Sequence, residues 1–328
     1  MDNSYLSIQE IQKIVFKDLQ EVNNIIIDNI GNEVPLIKDL SKHILASGGK
    51  RIRPMVTLLC SRLCNYSGKN QLFLAACVEF IHTATLLHDD VIDESKIRRG
   101  TATANDIFGN KTSVLVGDFL FSRAFELMVQ YGSKQILEVL SKASSTIAQG
   151  EVLQLTTIND SSTNQELYMK IIENKTASLF SAASEISAIL SEEKDIIQKS
   201  LKTYGQKLGI AFQLIDDALD YAGTSALDKS IGDDFREGKM TLPVIISLEK
   251  SNPEEKTFWK KTIEDLEQSS GDLNKAIELI NKYHGISSTL TLAKTYSEEA
   301  IKSLEIFPQS EAKLALESLA SIAVNRKK

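Results

Sequence analysis

The chain has 328 residues, 42% of them apolar and 25% charged, a balance that excludes both a disordered segment and a membrane-embedded protein. A formal net charge of −7 argues against a nucleic-acid partner, because phosphate backbones are bound by clustered excess Lys and Arg. The three cysteines, Cys60, Cys64 and Cys77, are too few for a disulfide framework and have no His or second Cys pair to complete a zinc set, so core packing and a cytoplasmic setting are expected.

The N-terminus lacks a basic region followed by an apolar run, so no signal peptide is expected there. Ser7 and Glu10 form a capping-box pattern ahead of Ile8, Ile11, Val15, Leu19, Val22 and Ile26, which recur at helical spacing. The same spacing runs through Leu72 to Ile92, Ser113 to Tyr131, Gln135 to Leu155, Glu166 to Leu190 and Ile196 to Tyr221, and shorter helical patterns follow Pro253. Only five prolines occur, none between Pro54 and Pro243, and no strand-like alternation competes. The expectation is one all-α domain, residues 1–328, built as a bundle of ten or more helices. The apolar stretch Leu72 to His88 is interrupted by Glu79, so no membrane-spanning segment is expected.

Several groups on these helices carry charge that packing does not require. Gly48-Gly49-Lys50-Arg51-Ile52-Arg53-Pro54 joins a glycine turn, three cations and a helix-starting proline. His82 lies two turns before Asp89 on a similar face, where it could donate to a phosphate oxygen. Asp89-Asp90-Val91-Ile92-Asp93 sets Asp89 and Asp93 one helical turn apart on one face, and Arg98-Arg99-Gly100 follows closely. Lys175-Thr176 interrupts an apolar stretch, and Gln213 precedes a second cluster, Asp216-Asp217-Ala218-Leu219-Asp220, with the same D-D-x-x-D spacing. Lys229 and Lys239 flank an acidic loop. A single D-D-x-x-D is more often a solvated helix end. Two of them in apolar surroundings would repel unless hard cations sit among them, and Mg²⁺ shared with substrate phosphates resolves that conflict. No G-x-x-x-x-G-K-[ST] loop is present, which argues against nucleotide hydrolysis by that route.

In motif order and spacing the chain resembles the trans-isoprenyl diphosphate synthases, or polyprenyl synthetases. The resemblance rests on G-G-K-R-I-R-P, L-L-H-D-D-V-I-D-E-S-K-I-R-R-G, G-D-F-L-F-S-R-A-F, A-Q-G-E-V-L-Q-L, K-T-A-S-L-F, F-Q-L-I-D-D-A-L-D-Y and G-D-D-F-R-E-G-K-M-T-L-P, spanning Gly48 to Pro243. The flanks, including Ile322-Ala323-Val324-Asn325-Arg326, look like those of long-chain bacterial members. The resemblance implies an isoprenoid-synthase fold around a central cavity, a homodimer, and both aspartate motifs facing that cavity. It implies three Mg²⁺ ions, two on Asp89 and Asp93 and a third on Asp216, with Asp220 completing the acidic set. Arg98, Lys175 and Lys239 would neutralise an allylic diphosphate, while Lys50, Arg53, His82 and Arg99 would hold isopentenyl diphosphate. Thr176 and Gln213 would line the site near the allylic group. The role of Lys229 is weakened by Asp228, where relatives often carry glycine.

The implied activity is successive addition of isopentenyl diphosphate to an allylic starter such as farnesyl diphosphate, giving a long product near C40 for a quinone side chain. Ala84 and Thr85, five and four residues before Asp89, would set product length, since neither is the aromatic block of short-chain relatives. The enzyme would not span a membrane, although product release leaves room for peripheral contact. A short-chain farnesyl or geranylgeranyl synthase and a non-catalytic partner subunit are the alternatives within the family. A metal-dependent phosphohydrolase built on His88-Asp89 needs more than the four histidines present, and a terpene cyclase has no need of a second diphosphate site.

Overall fold

A computed structural model describes residues 5–31, 33–46, 49–98, 100–222 and 231–325. Lys229 and Arg99, both expected site residues, lie outside them, as does Gly48. Among the described residues the architecture is all-α apart from one two-stranded hairpin.

The elements follow the spacing of apolar residues. Helix α1 (Ile8–Ile14) begins at a complete capping box between Ser7 and Glu10, and α2 (Phe16–Ile30) continues it after a break at Val15. Next come α3 (Pro35–Ala46), α4 (Ile52–Leu63) and α5 (Asn70–Ile92). Strands β1 (Ile97–Arg98) and β2 (Thr101–Ala102) pair antiparallel, and α6 (Ala104–Phe108), α7 (Asn110–Tyr131), α8 (Lys134–Leu155) and α9 (Gln165–Ile172) follow. A π-turn at Glu173–Ala177 leads into α10 (Ser178–Leu190) and then α11 (Asp195–Tyr221). The remainder is shorter, as the sequence pattern indicates: α12 (Asp233–Arg236), α13 (Leu242–Lys250), α14 (Pro253–Trp259), α15 (Asp272–Lys282), α16 (Gly285–Ser303) and α17 (Glu311–Val324).

The chain gathers into two compact units, Met1–Ser144 with Leu179–Gly205 and Ser303–Leu319, and Ser145–Ser178 with Gln206–Lys302 and Ala320–Lys328. Helices α8, α11 and α17 each start in one unit and end in the other, so the division does not follow the sequence order of the chain.

In the first unit α5 is the central element and packs most extensively against α7. It is long and apolar enough to cross a membrane, yet 67% of its most apolar stretch is buried within the fold, as befits a core helix. Helices α4 and α10 approach closely through small residues: the Thr57 hydroxyl donates to Ala183 O at 3.0 Å and Ser187 returns a bond to Thr57 O at 2.9 Å. All three cysteines are buried thiols, and burial pushes their pKa values up, leaving them as inert core groups. The second unit closes on an apolar cluster including Tyr168, Leu214, Phe235, Val244, Ile263 and the fully buried Trp259, whose indole N–H donates to Ser251 Oγ.

Candidate active site

In the first unit the site is written along one stripe of α5. His82, Thr85, Leu86, Asp89 and Asp93 recur at helical spacing and are each only partly buried, whereas Ala84 and Leu87 on the neighbouring faces are fully enclosed. Asp93 caps the helix, its N–H bonded to Asp89 O, and Glu94 adopts a left-handed conformation that turns the chain away. Asp89 and Asp93 therefore lie one turn apart at the helix end, as their spacing indicates.

Asp90, between them, turns inward and is 5% exposed. Its Oδ1 accepts from both Nε and Nη2 of Arg98, at 2.8 and 2.7 Å. Arg98 is thus held by a carboxylate of the motif itself. The hairpin that carries it is anchored by Thr103, which donates to Ser95 O, by Asn105, which donates to the Asp90 and Ser95 carbonyls, and by His43, which donates to Ala102 O. Sequence reasoning passed over Asp90 and Asn105. The 100° step between adjacent helical residues is the signal that sends the middle carboxylate of D-D-x-x-D to another face.

Two turns down the stripe, Arg53 Nη1 lies 3.1 Å from His82 Nε2, and the guanidinium stacks 4.4 Å from the Phe180 ring. An Arg only donates, so His82 accepts at Nε2 and carries its proton on Nδ1; a phosphate would be met from Nδ1. Arg51, the middle cation of the basic loop, forms an ion pair with the buried Glu79, which pins the loop to α5; Lys50 is exposed. His88 turns towards α7, where its ring contacts Val114 O and Asp118, so it is not a partner of Asp89 in binding a metal.

The second unit holds the other motif near the end of α11. Asp216 and Asp220 are partly buried. The two oxygens of Asp220 accept the backbone N–H groups of Asp233 and Asp234 at 3.3 and 3.2 Å, so this expected metal carboxylate also caps the first turn of α12. Asp217 turns inward, 6% exposed, and accepts from Tyr168 Oη at 2.5 Å and Gln213 Nε2 at 2.7 Å. Burial, with Asp234 and Asp216 close by, pushes its pKa up to about 8 against the opposing pull of Tyr168 and Gln213. Thr176 donates to Gln213 Oε1 at 2.8 Å, which brings these two expected site residues together.

Lys175 sits on the π-turn, where the Ser178 N–H reaches back five residues to Glu173 O. Its ammonium group meets Glu151 Oε2 at 2.6 Å and Gln154 Oε1 at 2.7 Å, both on α8. Glu151 and Gln154 lie three apart within A-Q-G-E-V-L-Q-L and share a face, a signal available to sequence reasoning that it left unassigned. Lys239 is held by Glu237 at 2.5 Å.

No group of three or more His, Cys, Asp or Glu side chains forms a metal cage among the described residues. Each motif offers carboxylate oxygens from its first and third aspartates. That donor set fits a hard divalent cation that completes its shell with water and phosphate oxygens.

Comparison with known proteins agrees with this arrangement. A family model described as polyprenyl synthetase matches residues 34–280. The octaprenyl diphosphate synthase of Escherichia coli is 44% identical, covering 98% of this chain and 99% of that protein. That of Haemophilus influenzae is 43% identical, covering 98% of each. The crystal structure of a polyprenyl synthase from Caulobacter crescentus, complexed with calcium and isoprenyl diphosphate, superposes with a TM-score of 0.95 at 46% identity over 99% of both chains.

The seat of Lys175 depends on Gly150, where an added Cβ would lie 2.7 Å from Lys175 N and 2.9 Å from Asn174 Cβ. Gly150→Ala is expected to force α8 away from the π-turn at a cost of about 1–3 kcal/mol. Chemical denaturation followed by circular dichroism measures this, and unchanged stability would mean that the two backbones need not approach so closely.

Proposed function

This chain belongs to the polyprenyl synthetase family, and we propose that it is a long-chain trans-polyprenyl diphosphate synthase making an octaprenyl product for a quinone side chain. It is a prenyltransferase, and its family uses a divalent metal. In this reading it lengthens an allylic diphosphate, with farnesyl diphosphate as starter, by successive additions of isopentenyl diphosphate.

The observation that carries the reading is the stripe on α5. Asp89, the nearer of the two proposed metal-binding carboxylates, stands about 10 Å along one helix from the Arg53–His82 pair, seven residues away at 1.5 Å each, and Asp93 lies one turn further on. Two anion-handling sets on one face suit a reaction between two diphosphates. A cyclase acts on one diphosphate, and the phosphohydrolase reading loses His88 to α7.

Asp89 and Asp93, with Asp216 in the second unit, would hold Mg²⁺, three ions in all; bound there, they supply Lewis-acid neutralisation of the leaving diphosphate. Lys175, Arg98 and Lys239 add positive charge towards that group. Their carboxylate partners Glu151, Asp90 and Glu237 hold the side chains in place and spare them part of the entropy of ordering at the moment of binding. Lys50, Arg53, Arg99 and His82 hold isopentenyl diphosphate so that its double bond reaches the allylic carbon as the carbon–oxygen bond breaks. Loss of a proton to the departing pyrophosphate then restores an alkene one C5 unit longer. Asp220 contributes by fixing α12 beside Asp216. Lys229 carries no specific role in this reading.

A homodimer and a cytoplasmic location are parts of the same proposal. The exposed apolar residues Leu115 (67%), Phe125 and Val129 (70%) lie on one stripe of α7, a face suited to a second copy. Buried free thiols accord with a reducing compartment.

Four experiments test these statements. Incubation with labelled isopentenyl diphosphate, farnesyl diphosphate and Mg²⁺ should yield a product near C40; chelation should abolish it. Asp89→Ala or Asp216→Ala should lose at least about a hundredfold in kcat, in line with loss of a main electrostatic contact in the transition state, with circular dichroism unchanged. Wild-type turnover in either variant would remove the ligand role. Thr85, one turn below Asp89 on the partly exposed stripe, is the better gate for a growing tail than the fully enclosed Ala84. Thr85→Phe should shorten the product to farnesyl or geranylgeranyl size, whereas Ala84→Phe should mainly overpack the core, by about 1–3 kcal/mol. An unchanged product from a folded Thr85→Phe enzyme would place the tail elsewhere. Light scattering should give the mass of two chains, and Val129→Glu should halve it.

A further inference from the structure

The basic loop enters α4 through a backbone conformation that a residue with a side chain rarely adopts. Arg51, the N-cap of α4, sits in the left-handed region at φ 50° and ψ 38°, and its side chain makes no capping bond to the helix. Its carbonyl accepts from Met55 N at 2.9 Å, so the helical ladder starts at the strained residue itself. The Arg51 side chain reaches α5 instead and pairs with Glu79. That carboxylate belongs to a side chain 8% exposed and borders a small cavity shared with Ile26, Phe80 and Leu120. In such apolar surroundings a carboxylate needs a cation, and Arg51 supplies one. Three residues further along α5, His82 meets Arg53. Both ends of Arg51-Ile52-Arg53 are therefore tied to one short stretch of the same helix.

We propose that Arg51 and Glu79 are positioning residues for isopentenyl diphosphate, their ion pair holding the left-handed turn that fixes Lys50 relative to Arg53. This rests on the reading above that Lys50, Arg53 and His82 hold that substrate. A strained backbone conformation persists only where its surroundings over-determine it. Arg53, after the turn, has its own restraints in His82 and in the Phe180 ring 4.4 Å away. Lys50, before the turn, is exposed, and its direction from Arg53 is set through φ and ψ of Arg51. Without Glu79, Arg51 relaxes to an ordinary conformation, the chain ahead of it changes course, and the work of ordering the loop falls to the ligand. Charge counting gives the opposite expectation, since removing a carboxylate near an anion site favours the anion. The sign of the effect at Glu79 thus separates positioning from plain electrostatics.

The test is calorimetric titration of isopentenyl diphosphate into the full chain, with a chelator present so that the aspartate motifs repel a diphosphate. It compares the wild type with Glu79→Met, Arg51→Gly, Arg51→Lys and the double variant Arg51→Gly/Glu79→Met. Met is close to Glu in length and lacks the acceptor, while Gly takes the left-handed turn at no steric cost but does not hold it. Glu79→Met and Arg51→Gly should each weaken binding about tenfold, the cost of ordering a freed loop. The double variant should be no weaker than Arg51→Gly, because both changes break one pair. Arg51→Lys keeps the charge and should stay within about threefold. Steady-state kinetics with Mg²⁺ and farnesyl diphosphate should show the same rise in KM for isopentenyl diphosphate, with kcat and the allylic KM within about twofold.

Arg53→Ala tests the underlying reading in the same titration and should lose at least about tenfold in affinity. Undiminished binding by Arg53→Ala overturns that reading and this inference with it. A normal response of Arg53→Ala beside wild-type or tighter binding by Glu79→Met overturns this inference alone. So do losses that multiply in the double variant, a loss shared equally by the allylic KM, or an Arg51→Lys enzyme as weak as Arg51→Gly. A purely structural role moves the thermal midpoint and leaves the substrate-specific split unexplained. If Glu79→Met does not fold, the contrast between Arg51→Gly and Arg51→Lys decides alone.

Discussion

Carboxylates crowded into a partly dry setting repel one another, and most of the polar architecture in both units answers that repulsion. Each D-D-x-x-D offers its first and third aspartates on one helical face and sends its second into the protein. The inward members are satisfied by specific donors: Arg98 for Asp90, Tyr168 and Gln213 for Asp217. The outward members gather negative charge that hard cations and a polyanionic substrate can neutralise. Burial first, with Asp234 and Asp216 close by, holds the pKa of Asp217 well above the ordinary carboxylate range.

The basic residues show the same logic from the other side. Lys175, Lys239, Arg98 and Arg51 each lie against a carboxylate in the same unit, Glu151, Glu237, Asp90 and Glu79. Pairing of this kind contributes little net stability, because desolvation offsets the Coulombic gain, but it fixes geometry. Long side chains that would otherwise sample many rotamers are tethered at their charged ends. For a reaction that depends on positioning two anions and dispersing charge, a pre-ordered array of cations is more effective than a flexible one.

Much of this was legible in the chain. The capping box at Ser7 and Glu10, the break-free helical runs through Asn70–Ile92, Asn110–Tyr131 and Asp195–Tyr221, and the shorter helices after Pro253 follow directly from apolar spacing and proline placement. The β1–β2 hairpin was not legible, because two-residue strands carry no alternation to detect. Nor was the π-turn inside the run from Glu166 to Leu190, since one extra residue in a turn leaves the apolar periodicity almost intact. Asp220 reads as a metal ligand by spacing alone, and its second task of capping α12 depends on where Asp233 and Asp234 arrive.

By itself the sequence determined which residues share a helical face, because a rise of 1.5 Å and a turn of 100° per residue are properties of the backbone. That was enough to place Asp89, Asp93 and His82 on one stripe, to repeat the motif at Asp216 and to bring the resemblance to polyprenyl synthetases into view. Tertiary structure decided who meets whom across elements. The pairing of Lys175 with Glu151, the stacking of Arg53 on Phe180 and the relay that joins Tyr168, Thr176 and Gln213 to Asp217 link residues 24, 127 and up to 49 positions apart. Hydrogen bonds and ion pairs act over a few ångströms in space, and separation along the chain carries no record of that distance until packing sets it.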